Sequence, residues 1–147
     1  MIKHILIPTD GSTLSEKAIK AGVEMARVHG AKVTGFFAAP APTPLVYGDF
    51  MPVGYLPPDE HEALIKKASA HHLAVVEKTA RQAGVEVDTF SVTSEYPADA
   101  IIEAARQKRC DLIFMASHGR KGLAGLLLGS EVQKVLTHSA IPVLVYR

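Results

Sequence analysis

Cysteine is nearly absent from this chain: Cys110 is the only one among 147 residues. No internal disulfide and no cysteine zinc cluster can be built, which fits a reducing cytoplasm. An excess of one charge is also missing. The formal net charge is +1, too little for the basic footprint of a nucleic-acid or anionic-membrane binder. Neither nucleic acid nor a membrane is expected as a partner. No apolar run approaches the roughly 20 residues of a membrane span. Met1-Ile2-Lys3-His4 enters a strand-like run at once, and no signal peptide is expected. Internal repeats and low-complexity tracts are absent. His71 and His72 are helix neighbours that point in different directions, and His61 with Glu62 lacks a metal-binding spacing. No protein metal site is expected.

What is present suits one globular domain over residues 1–147, with 48% hydrophobic and 21% charged residues. Ile5-Leu6-Ile7 is a short continuous apolar run followed by Pro8-Thr9-Asp10-Gly11-Ser12, a buried parallel strand and then a turn. Leu14 to His29 has helical spacing. Thr13 and Glu16 are spaced as a capping box, and Gly30 is a natural stop. Val33 to Ala39 reads as a second strand. Asp59 to Ala83 reads as a long helix whose stripe is Leu64, Ala68, His72, Val75, Val76, Thr79, Ala80 and Ala83, with Gly84 ending it. Val85 to Val92 alternates, with Val85, Val87 and Thr89 on one face, as an edge strand does. Pro97 suits the first turn of a helix carrying Ile101, Ile102 and Ala105. Asp111 to Ala116 is a fourth strand, a short helix runs to about His138, and Pro142 to Tyr146 is the last strand.

Between the second strand and the long helix, Pro40 to Pro58 breaks the pattern with six prolines and with Tyr47, Phe50, Met51 and Tyr55. So long a connector is either a partly ordered link or a functional segment, such as a flap or a subunit contact.

Strands and helices alternate, so the fold class is α/β: a doubly wound, Rossmann-like, five-stranded parallel sheet with helices on both faces. Strand orders 3-2-1-4-5 and 2-1-3-4-5 are both common for such chains. The chemistry decides between them. Ala116-Ser117-His118-Gly119, nine residues, then Gly129-Ser130-Glu131-Val132 follows the fourth strand and opens a helix. Glycines allow close backbone approach, and a helix start offers unpaired N–H donors, so this stretch can hold a phosphate. The other candidate, around Asp10, follows the first strand. Both reach one crevice only if strands one and four are neighbours, which selects 3-2-1-4-5.

Each of these residues also has a plainer role. Asp10 with Gly11 makes a common turn pair. Ser130 suits a helix N-cap. Gly119 and Gly129 serve equally well if positive φ is all that is required. Arg120 and Lys121 either neutralise phosphate or sit on a solvated loop. His118 shows no partnering carboxylate or nucleophile nearby in sequence, so acid–base catalysis is not expected of it and no catalytic residue is named. Cys110 is expected to pack.

These stretches together resemble the universal stress protein family. The matching residues are Ile7 to Ser12, Asp111-Leu112-Ile113, Ser117-His118-Gly119, Leu126 to Ser130, and Ile141 to Val145. The family's ATP-binding branch carries Gly, two residues, Gly, nine residues, Gly, then Ser or Thr. Ala116 stands at the first of these positions, while Gly119, Gly129 and Ser130 match. The resemblance implies an ATP or AMP site. Gly119, Gly129 and Ser130 would hold phosphates, with backbone N–H groups of Glu131 and Val132. Asp10 would face the nucleoside, Pro8 and Thr9 would line its pocket, and Ala38 would pack near the base. His118 and Arg120 fall within the same expected site. Mg²⁺ or Mn²⁺ could accompany the phosphates. The resemblance also implies a cytoplasmic dimer acting in stress responses through protein partners that the sequence does not name.

The implied function is nucleotide-dependent signalling with at most slow ATP hydrolysis, because no P-loop lysine pattern or arginine finger is present. Two alternatives stand beside it: a dimeric interaction module that has lost nucleotide binding, and an enzyme that cleaves or transfers a nucleotide. The last strand is apolar and falls at a sheet edge in the selected order. Ile141, Val143, Leu144, Val145 and Tyr146 are therefore expected to pair with a second copy of the chain, the alternative being an edge protected by Arg147 and local twist.

Overall fold

The computed structural model describes residues 1–41, 57–119 and 128–147. The elements are β1 (His4–Pro8), α1 (Thr13–His29), β2 (Lys32–Ala39), α2 (Pro58–Gln82), β3 (Val87–Thr93), α3 (Pro97–Gln107), β4 (Leu112–Ala116), α4 (Ser130–His138) and β5 (Val143–Tyr146). All five strands run parallel in the order β3-β2-β1-β4-β5. The order that lets the β1 and β4 loops share a crevice is the order observed.

The strands of the centre are apolar on both faces because helices cover both. Ile5 and Ile7 join Val33 and Phe114 against α1 and α2, while Leu6, Ile113 and Met115 face α3 and α4 with Phe36. Ile5, Leu6 and Ile7 are fully buried, each contributing about 1.5–3 kcal/mol by leaving water. Gly22 lets α1 sit low on this sheet. A methyl there would lie 2.8 Å from Ile7 Cδ1 and 3.1 Å from the Phe114 ring.

Two local expectations fail. The capping box of Thr13 and Glu16 does not form, because the helix begins one residue earlier. Ser12 is the N-cap, and its hydroxyl accepts the Ser15 N–H at 3.2 Å. The long helix buries a stripe shifted from the expected one. Ser69, Leu73, Val76 and Ala80 face the core, whereas Leu64 is 53% exposed. Alanines on several sides of α2 blur its period, and contact with β2 and β3 sets the buried face.

Gly30 closes α1 in the left-handed region, as expected. β3 is an edge strand with Val85 and Val87 turned to the α1–α2 core. Cys110 packs in the other core, and burial pushes its thiol up to about 12.

Candidate functional site

The exit of β1 is fixed by its own polar side chains. Thr9 N–H extends the ladder to Phe36 O at 2.9 Å. The Thr9 hydroxyl is buried and accepts Ser15 Oγ at 2.7 Å and the Gly11 N–H at 3.2 Å, so it is committed to the start of α1. Asp10 folds back and accepts the Ser12 N–H at 3.0 Å, with Gly11 at φ 75°. Asp10 thus makes the turn, and its second carboxylate oxygen lies against Gly119 at the exit of β4. Of the roles considered for Asp10, the turn is the one this conformation makes. Pro8 pairs with Phe36 beside it.

The exit of β4 is fixed by backbone hydrogen bonds. Ser117 N–H donates to Tyr146 O at 2.7 Å, and Ser117 O accepts the Gly129 N–H at 2.8 Å. Ser117, absent from the expected site, is therefore the strut that returns the chain to the end of β4. Its signal in the sequence was its place in the matching run Ser117-His118-Gly119, with no role attached.

Positive φ does not explain the glycines. Neither Gly119 nor Gly129 has it, and Gly129 sits at φ −69°, ψ 155°. Space explains them instead. A methyl on Gly119 would collide with the Asp10 carboxylate, and one on Gly129 would lie 3.3 Å from His118 Cα. Ser130 is not the N-cap either. Gly129 holds that position, without a side chain to cap the helix, and Ser130 is the first helical residue. Ser130, Glu131 and Val132 therefore carry N–H groups with no acceptor inside the helix; the first helical bond runs from Gln133 N–H to Gly129 O at 3.0 Å. Among the described residues no side chain caps this helix start, which makes it a donor-rich, partly positive surface.

The remaining candidates divide between the two faces of the sheet. Ala38 pairs with Val92 and packs on the α3–α4 side. Ala116 packs on the α1–α2 side. Among the described non-glycine residues only Arg109 has positive φ, so Ala116 lies in a conformation that suits alanine. Its methyl lies on the sheet face opposite α4. His118 is half-buried, with Nδ1 3.2 Å from Ser117 Oγ. The Glu131 side chain turns to α3, where Oε2 accepts the Ala98 N–H at 2.9 Å. Arg120, Lys121 and residues 42–56 lie outside the described residues.

β5 is the sheet edge beyond β4. Val143 and Val145 pack on one face, Leu144 and Tyr146 on the other, and Ile141 joins the first of these clusters. The cavities found among the described residues lie at the opposite end of the strands. One of about 380 Å³ is lined by Lys3, Arg27, Lys32 and Glu86, and one of about 180 Å³ by His4, Thr34, Asp88 and Lys108. Their mixed charges recommend no ligand. No helix among the described residues is long and apolar enough to cross a membrane.

Beyond this geometry, the family model for the universal stress protein family matches residues 1–147. The chain belongs to that family. Among universal stress proteins, MJ0531 of Methanocaldococcus jannaschii is 32% identical over all of this chain and 83% of its own length. YxiE of Bacillus subtilis is 31% identical over the whole of both chains. The solved structure of MJ0577 superposes with a TM-score of 0.81 at 26% identity, covering 99% of this chain and 95% of its own. Two universal stress proteins solved with ligands share the fold. One, in complex with cAMP, has a TM-score of 0.70 at 23% identity, covering 99% of this chain and 97% of its own. The other, from Arabidopsis thaliana with AMP bound, has a TM-score of 0.67 at 16% identity, covering 97% and 90%.

Proposed function

We propose that this universal stress protein binds an adenine nucleotide, ATP or AMP, in the crevice between the exits of β1 and β4. One observation carries the reading: among the described residues α4 begins at Gly129 with no side-chain cap, and the Gly129 N–H is tied to Ser117 O at the carboxyl end of β4, where Gly119 meets the Asp10 carboxylate. That is the switch point of the sheet, where the winding reverses and doubly wound folds bind ligands. Phosphate would take the N–H groups of Ser130, Glu131 and Val132, and Gly119 and Gly129 keep the approach open. Asp10 and Pro8 would flank the nucleoside, with Thr9 contributing backbone alone. Ala38 would pack near the base. His118 borders the phosphates as a wall of the crevice. Arg120 is assigned to the same site by sequence. Ala116 is compatible with this reading, since its methyl lies on the far face. The adenine nucleotides held by fold neighbours agree with it.

The output is conformational, passed to protein partners in a stress response in the cytoplasm. Any hydrolysis is slow, for want of a P-loop lysine. The described residues hold no cluster of three or more His, Cys, Asp or Glu side chains suited to a metal. Mg²⁺ or Mn²⁺ would accompany the nucleotide's phosphates. A homodimer forms through β5, where Ile141, Val143, Leu144, Val145 and Tyr146 offer an apolar edge.

The test is to denature freshly purified protein, identify any released nucleotide by mass spectrometry, and melt the protein with and without added ATP. Released ATP or AMP, or a melting temperature raised by ATP, supports the reading. Failure of both favours the interaction module, in which the crevice is vestigial.

A further inference from the structure

The first turn of α4 carries a carboxylate where an incoming phosphate would place a like charge. Glu131 is the second helical residue, among the donors proposed to receive that phosphate. Its carboxylate is held elsewhere. Oε2 accepts the Ala98 N–H at 2.9 Å and Oε1 accepts Lys134 Nζ at 2.8 Å. Ala98 lies in the first turn of α3, whose own N-cap residue, Tyr96, makes no side-chain cap. Glu131 supplies that cap from 33 residues away. Ala98 and Ile101 of α3 share a buried cluster with Val132 and Val135 of α4, so the two helix starts stand side by side on one face of the sheet.

We infer that Glu131 is a positioning residue that couples nucleotide occupancy at α4 to the first turn of α3, the turn that presents Tyr96. The inference rests on the nucleotide reading above. Its basis is electrostatic. Phosphate at the start of α4 repels the carboxylate, and the repulsion is least where Ala98 and Lys134 hold it. Bound nucleotide therefore tightens the cap on α3. By reciprocity, whatever steadies the first turn of α3 tightens nucleotide binding. Tyr96, 67% exposed, is the aromatic side chain that this turn carries at the surface.

The chain contains no tryptophan, so Tyr96→Trp installs a single tryptophan on the coupled turn, excited selectively over the remaining tyrosines. Its emission is followed at increasing ATP and Mg²⁺ while calorimetry reports occupancy of the same sample. Amide exchange at Ala98 is read separately, with Tyr96 intact. The expected result is an emission change that follows the binding heat and is lost in Glu131→Ala at saturating ATP. Glu131→Gln, which keeps an acceptor oxygen for the Ala98 N–H but carries no charge, loses the emission change as well, while its Ala98 exchange stays closer to that of the wild type. Exchange at Ala98 slows with ATP in the wild type, and without nucleotide it is roughly tenfold faster in Glu131→Ala.

Binding heat without an emission change overturns the coupling and leaves the nucleotide reading standing. So does an emission change that survives in Glu131→Ala, or Ala98 exchange unaffected by that substitution. Loss of binding in Glu131→Ala alone would make the carboxylate part of the phosphate site and overturn the positioning role. No binding heat in the wild type overturns both readings.

Discussion

The two ends of the sheet handle their polar groups in opposite ways. At the amino ends of the strands, groups bond to one another. The Asp111 carboxylate accepts the N–H groups of Lys3 at 2.8 Å and His4 at 3.1 Å, while Asp111 N–H donates to His4 O at 2.9 Å. His4 Nε2 lies 2.7 Å from Thr34 Oγ1, and Lys108 reaches Asp88 at 2.6 Å across the Phe90 ring. At the carboxyl ends, helices begin and present donors. Ser12 caps α1 and Glu131 caps α3, but α4 starts at a glycine. Among the described residues one end is closed by mutual satisfaction, and the other, the open end, holds the helix-start N–H groups of α4, which have no acceptor inside the helix.

Substitutions that affect one end and spare the other sharpen this contrast. The largest effect is expected from Gly129→Val at the open end. Valine tolerates φ −69°, ψ 155°, but its side chain would crowd His118 and the phosphate approach. ATP affinity is expected to fall at least about 100-fold, about 2.7 kcal/mol, with secondary structure by circular dichroism unchanged. Full affinity in a folded Gly129→Val protein would erase the distinction between the ends.

Next comes Asp111→Ala at the closed end. It removes one acceptor group from two backbone donors, so a urea melt is expected to show a loss of about 2–3 kcal/mol. Nucleotide affinity is expected to stay as it was. Third, Val143→Lys puts a charge on the β5 edge. Self-association measured by light scattering is expected to weaken at least about tenfold, about 1.4 kcal/mol. A wild-type mass in dilute solution would remove β5 from the proposed interface.

The smallest effect concerns His4. Burial, aided by the Lys32 charge, holds its imidazole below the ordinary value of 6.5. The unfolded chain therefore binds the proton more readily than the folded one. Stability from this group is complete above about pH 6.5 and declines as acid titrates the unfolded histidine. His4→Gln is expected to flatten that part of the stability profile, and an unchanged acid slope would show that His4 does not set it.

Much of this arrangement was legible in the residues. Ile5-Leu6-Ile7 and Leu112 to Met115 are apolar on both faces, as strands covered by helices must be. The strand order followed from two loops needing one crevice. Local chemistry was less legible. Ser12, Thr13 and Ser130 all suit caps, and only the fold-back of Asp10 and the return of Gly129 to Ser117 decide where α1 and α4 begin. The two loop glycines signalled close approach as readily as positive φ, and their neighbours chose the former. The reach of Glu131 to Ala98 is tertiary, set by how α3 and α4 pack, and no spacing in the sequence encodes it.

Calorimetric titration of the wild-type protein with ATP and Mg²⁺ bears most directly on the open end of the sheet. Saturable binding in the micromolar range, about −8 kcal/mol, is expected, with Ala116 in place. Absence of binding to ATP, ADP and AMP would contradict the nucleotide reading and leave the crevice as a remnant of the family's fold.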